Sequence, residues 1–100
     1  MNDVVPMTIN AVSSEHYAWV CRMGWNNKNT LEQLALVASE VGEAVNECRG
    51  EAPTDLLQFE LADIVLRVMG VAESLGIDLE TAIAAKMKTN EMRGTRGRKV

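Results

Sequence analysis

From Ile9 onward the apolar positions of the chain keep a helical rhythm. Ile9, Val12, His16, Trp19 and Met23 recur at alternating spacings of three and four, which puts them on one face of a helix. Pro6 stands where proline opens a helix, and Gly24 with the polar run Asn26-Asn27-Lys28-Asn29 closes it, so the pattern predicts a first helix over about 7–24. Thr30 and Gln33 have the spacing of a capping box and predict a second helix over about 30–49, stopped by Gly50 and Pro53. A third is expected over about 54–75, starting near Thr54 and Asp55 and ending at Gly76. Asp78 caps a fourth over about 79–93, and the short Gly76-Ile77 link predicts that the last two helices fold back as an antiparallel hairpin. Gly94 to Val100 reads as a basic tail. There is no repeat and no alternating stretch long enough for a strand. The pattern predicts an all-α protein of one domain, residues 1–100, built as a four-helix bundle subunit.

The faces of these helices differ in what they ask for. On the second, Leu34, Val37, Ala38, Val41, Ala44, Val45 and Cys48 read as the inward side, with Glu40, Glu43 and Glu47 opposite. The third is apolar nearly all round, from Leu56 to Leu75, and a helix of that kind is buried on most sides. Its polar residues Glu60, Asp63, Arg67, Gly70 and Ser74 fall in a strip about 80° wide. Carboxylates inside a buried helix need a cation, and two readings stay open: a structural salt bridge such as Asp63 with Arg67, or a site. The fourth helix shows an inward stripe of Leu79, Ala82 and Ile83 that continues as Lys86, Asn90 and Arg93. A stripe that turns cationic faces something anionic, either the carboxylates or the phosphates of a ligand, unless the amphipathic pattern merely frays where basic residues suit the helix dipole.

Composition removes several classes of function. The 100 residues carry 10 Lys plus Arg against 14 Asp plus Glu, a net charge of -4, without the basic face a nucleic-acid binder needs. No apolar run approaches a membrane span, and the first residues show no secretory signal. The two cysteines, Cys21 and Cys48, are far apart and form no CxxC pair, so reduced thiols and a cytoplasmic location are expected. Neither a phosphate-binding GxxxxGK[ST] loop nor a GxSxG elbow is present.

What remains is acidic. Glu40-Val41-Gly42-Glu43 and Glu60-Leu61-Ala62-Asp63 are i,i+3 carboxylate pairs on neighbouring helices, and each pair points its side chains the same way. Four hard oxygen donors without His or Cys suit Mg²⁺, with Mn²⁺ a possible substitute, rather than zinc or copper. Their setting, Ser39-Glu-Val-Gly-Glu-Ala-Val-Asn-Glu47 and Phe59-Glu-Leu-Ala-Asp-Ile-Val-Leu-Arg67, with Gly76-Ile-Asp-Leu-Glu80 and Lys86-Met-Lys-Thr-Asn-Glu-Met-Arg93 downstream, resembles the MazG-like all-α nucleoside triphosphate pyrophosphohydrolases. The resemblance covers roughly residues 8 to 93. His16 and Gly24-Trp25 stand where the small dCTP-pyrophosphatase-like and integron-type relatives carry base-pocket residues. The chain departs from the family in having Gly94-Thr95 where a Tyr-Pro often follows the final Arg, and in the short loop from Gly50 to Pro53.

The resemblance implies hydrolysis of a (deoxy)nucleoside triphosphate to monophosphate and pyrophosphate, as nucleotide-pool house-cleaning. It implies that Glu40, Glu43, Glu60 and Asp63 hold Mg²⁺, that Lys86, Asn90 and Arg93 contact the phosphates, and that His16 and Trp25 serve the base. Glu43 is the expected general base. Trp19 reads as core. Because the third helix has more apolar surface than its neighbours can cover, a homodimer or homotetramer is expected to complete the bundle. Two rival readings stand beside this: a non-catalytic helical interaction module with a residual metal site, and a relative preferring dUTP or diphosphates.

Overall fold

The computed structural model describes residues 7–94, and within them the chain is all α. The helices are α1 (Ile9–Arg22), α2 (Thr30–Asn46), α3 (Leu57–Ser74) and α4 (Leu79–Arg93). Pro6, expected to open α1, and all but the first residue of the basic tail lie outside the described residues. No helix among the described residues is long and apolar enough to cross a membrane.

The ends of the helices differ in detail from the predicted ones, for identifiable local reasons. The capping box of α2 sits one residue earlier than expected. Asn29 accepts from the Glu32 N–H at 2.8 Å while the Glu32 carboxylate accepts from the Asn29 N–H at 2.9 Å. The asparagine side chain reaches the orphan amide and leaves Thr30 as the first helical residue. α2 ends at Asn46 rather than near Arg49, because the Thr54 N–H and hydroxyl both turn back to Glu47 and fold the intervening residues into a loop. α3 begins at Leu57 after a turn around Asp55 and Leu56.

Two glycines end helices as the sequence predicts. Gly24 has φ +75° and Gly76 φ +69°, the left-handed conformation that costs glycine little. At the first, the Trp25 N–H reaches the Val20 carbonyl and the Gly24 N–H the Cys21 carbonyl, both at 3.0 Å. At the second, the Ile77 N–H donates to Ala72 at 2.8 Å and the Gly76 N–H to Glu73 at 3.2 Å. Both are Schellman closures.

α3 is the central element, with α1 on one side and α2 on another, while α4 rests on the beginning of α1. This overturns the expected α3–α4 hairpin. The Asn10 amide donates to Asp78 at 2.8 Å, the Asn10 N–H donates to Glu80 at 2.8 Å, and the Glu80 N–H donates back to the Asn10 side-chain carbonyl oxygen at 3.2 Å. These bonds tie the start of α4 to the start of α1 and draw α4 away from α3.

Face assignments change as well. α1 turns Ser13 inward, 1% exposed, donating to Glu73 at 2.8 Å; Trp19 and Met23, read as inward, are exposed. On α2 and its C-cap Glu47, the half-buried or buried positions are Thr30, Gln33, Leu36, Val37, Glu40, Ala44 and Glu47. Two of the glutamates therefore face α3, while Leu34, Val41 and Val45 are exposed. α3 is not buried on most sides of this chain, since Leu61, Val65, Val68 and Leu75 are exposed. Among the described residues the only buried side chains are Ser13, Ala44, Met69 and Ala72.

Candidate active site

α2 and α3 run antiparallel. Gln33 and Ser74 meet at one end of the pair, Glu40 and Arg67 in the middle, and Glu47 lies close enough to Glu60 to act on its carboxyl at the other. Because Glu40 points inward, and Glu60 and Asp63 stand on successive near-aligned positions of α3, carboxylate oxygens of Glu40, Glu60 and Asp63 lie within 4.8 Å of one another. Glu43, three residues after Glu40, is exposed and stands beside this trio rather than in it. It is still near enough to be the strongest charged neighbour of Glu60.

The electrostatics are those of a site short of positive charge. Partial burial, and then the charges of Glu43, Asp63, Glu47 and Glu40, hold the Glu60 carboxyl above its ordinary range. One of its oxygens, Oε1, is buried and has no hydrogen-bond partner. The one ion pair among the described residues, Arg67 Nε to Glu40 Oε2 at 3.1 Å, relieves only part of this. The Asp63–Arg67 pair, one of the two readings left open by the sequence, does not form; Arg67 pairs with Glu40 instead. An oxygen-only donor set with an orphaned buried oxygen fits a divalent cation such as Mg²⁺ or Mn²⁺, and Glu40, Glu60 and Asp63 are the residues that would hold it.

Beside the trio opens a cavity of about 590 Å³, lined by residues of α1, the α1–α2 loop, α2 and α3. Asp63 and Arg67 belong to its wall, so the acidic cluster and the cavity are continuous. Its far side is aromatic. His16 and Trp19 have ring centroids 5.5 Å apart, and Trp25 meets Trp19 edge-on at 5.1 Å and 89°. The Schellman turn at Gly24 is what brings Trp25 back against Trp19. His16 and Trp25 are thus placed together, with Trp19 as the ring between them.

Lys86, Asn90 and Arg93 are exposed on α4 and none lines this cavity. Within one chain the structure does not bring them to the carboxylates. Tyr17, Asn26, Asn27, Lys28 and Gln33 are on the cavity wall, and the sequence pattern does not single them out. The available signal is the polar run after Gly24, which reads equally well as a linker.

These features define a class: an all-α protein with a carboxylate cluster opening onto an aromatic-walled cavity. The MazG nucleotide pyrophosphohydrolase domain matches residues 28–94, and the chain belongs to that family, whose members are hydrolases of nucleotide phosphoric anhydrides. The match takes in every acidic residue of the site and stops short of His16, Trp19 and Trp25. A dATP/dGTP diphosphohydrolase of Cyanophage S-2L is 27% identical over 89 residues, covering 89% of this chain and 79% of the relative. No solved structure matches the chain.

Proposed function

We propose that the protein is a Mg²⁺-dependent pyrophosphohydrolase of (deoxy)nucleoside triphosphates, releasing monophosphate and pyrophosphate. The observation that carries this reading is the convergence of Glu40, Glu60 and Asp63, with the orphaned Glu60 Oε1 among them, at the mouth of the aromatic cavity. A divalent ion held there would neutralise phosphate charge and lower the pKa of a bound water. His16, Trp19 and Trp25 offer ring faces and edges for a base, and the amides of Asn26, Asn27 and Gln33 offer donors and acceptors for its polar edge. Glu43, exposed and outside the trio, is free to take a proton from water as general base. Deoxypurine nucleotides are the first substrates to try, since that is what the phage relative is named for. The exposed free thiols of Cys21 and Cys48 fit a cytoplasmic setting.

A second copy of the chain belongs to this reading. Leu34, Val41 and Val45 on α2, and Leu61, Val65 and Val68 on α3, each sit about 110° from the face where the two helices meet. In an antiparallel pair those offsets bring both stripes to the same side. A homodimer would close these faces into a helical bundle, with a homotetramer built from two such dimers. Lys86, Asn90 and Arg93, exposed and not part of their own chain's cavity wall, would then serve phosphates only if assembly brings them to a neighbouring site.

The test is a panel of common and modified triphosphates incubated with Mg²⁺, scored for pyrophosphate. Glu43→Gln is expected to lower turnover by roughly 10² to 10⁴ while leaving the circular dichroism spectrum unchanged. Full activity in that variant would remove Glu43 from the mechanism, and activity in EDTA would remove the metal.

A further inference from the structure

Arg67 stands between the acidic cluster and the aromatic cavity and touches both. Its Nε donates to Glu40 Oε2 at 3.1 Å, so it neutralises a carboxylate of the trio. It also lines the aromatic cavity, where the other basic side chain besides His16 is Lys28. The Arg67 side chain is 45% exposed and that of Glu40 only 13%: the carboxylate is fixed in the helix interface, and the guanidinium is the partner with room to move. Resting on the proposed metal-dependent reading, we propose that Arg67 is an exchangeable counter-ion, paired with Glu40 while the carboxylates hold no metal and turned to the nucleotide's phosphates once they do.

The physical reason is charge. Glu40 cannot give the same oxygen fully to a guanidinium and to a divalent cation, and the two positive groups repel at such separation. The planar fork of an arginine, once released, suits phosphate oxygens. The cavity then gains a cation when the metal is in place. A nucleotide arriving earlier meets the carboxylates with Arg67 already engaged, so the arrangement favours metal before nucleotide. Lys28 lines the wall, and Arg67 is the conditional positive charge.

The experiment uses the intact protein labelled with ¹⁵N in its arginine side chains and titrated with Mg²⁺ alone. The Arg67 Nε–H signal, assigned by its loss in Arg67→Gln, is expected to be protected from water exchange in metal-free protein. With Mg²⁺ it should shift and exchange faster. Calorimetry is expected to show Arg67→Gln and Arg67→Ala binding Mg²⁺ about two- to fivefold more tightly than the parent, the size of a partly exposed ion pair. At saturating Mg²⁺ the same variants should raise KM for the triphosphate about tenfold or more. An Nε–H signal that stays put at saturating Mg²⁺, or an unchanged Mg²⁺ affinity in both variants, would overturn the exchange and leave a static ion pair. Failure of any of the proteins to bind Mg²⁺ would overturn it together with the metal reading.

Discussion

Glu60 sits at the centre of the acidic cluster. Its Oε1 is buried without a partner, and its carboxyl is held high by partial burial and by Glu43, Asp63, Glu47 and Glu40 around it. A carboxyl whose folded-state pKa is raised opposes folding when ionised and ceases to do so as pH falls through that value. Glu60→Gln keeps the shape and removes the charge. The expected result is a higher melting temperature without metal, together with a loss of activity of at least roughly 10²-fold and no stabilisation by Mg²⁺. A lower metal-free melting temperature would mean that the ionised carboxylate is already compensated in the metal-free protein. The carboxylates were legible from E-x-x-E and E-x-x-D, because i,i+3 spacing keeps side chains near one line of a helix. That Glu43 stands aside was not legible: each i,i+3 pair leaves about 60° between its members, and the packing of α2 on α3, not the spacing, decides which of them turns inward.

The elements work through their ends. Gly24 ends α1 in a left-handed turn, and a methyl group added there would have nothing within 4 Å, so Gly24→Ala meets backbone strain rather than a clash. A cost of about 1–2 kcal/mol is expected, with a raised KM because Trp25 loses its set position against Trp19. A melting temperature and KM equal to the parent's would show that the turn does not position the ring. Asp78 caps α4, accepting from Thr81 N–H at 3.0 Å and from the Asn10 amide at 2.8 Å. The Asn10 bond first, then those from Thr81, hold its carboxyl below the ordinary 3.8. Its stabilisation is therefore fully present above that value and lost as pH falls through the lower folded-state value. In melts from pH 6 downward, the gap between the parent and Asp78→Ala is expected to narrow below about pH 4. A gap that stays constant would mean the charge of Asp78 contributes nothing.

Glycine, proline and aspartate signals made the four helices readable, and their ends went astray where Asn29 and Glu47 made bonds that spacing does not reveal and where the turn around Asp55 and Leu56 delays α3 to Leu57. Face assignment failed more deeply. The apolar rhythm of α2 marks a side that seeks burial but does not say against what. In the structure Glu40 and Ala44 meet α3 while Val41 and Val45 are exposed. The Asn10, Asp78 and Glu80 bonds that turn α4 onto α1 join positions about 70 residues apart, beyond the reach of any local pattern.

At the scale of the molecule, only four side chains among the described residues are buried, a small core for four helices when burial of apolar area is the main favourable term in folding. The two exposed stripes supply what is missing if a second copy covers them. Val65, 51% exposed in the middle of the α3 stripe, lies away from the carboxylates and the cavity wall. Val65→Glu is expected to convert the assembly to monomer or to unfold the chain, as read by sedimentation and circular dichroism. A parent that sediments as a monomer, or a variant that sediments like the parent with its melting temperature intact, would contradict assembly through this surface.

The central claim is that the carboxylates beside the aromatic cavity cut a nucleoside triphosphate between its α- and β-phosphates. The most direct measurement is a ³¹P NMR time course of the parent protein with dGTP or dATP and Mg²⁺, beside Glu60→Gln. Resonances of monophosphate and pyrophosphate are expected to grow in equal amounts with the parent, and not at all with the variant. Orthophosphate with diphosphate, or equal turnover in Glu60→Gln, would contradict the claim.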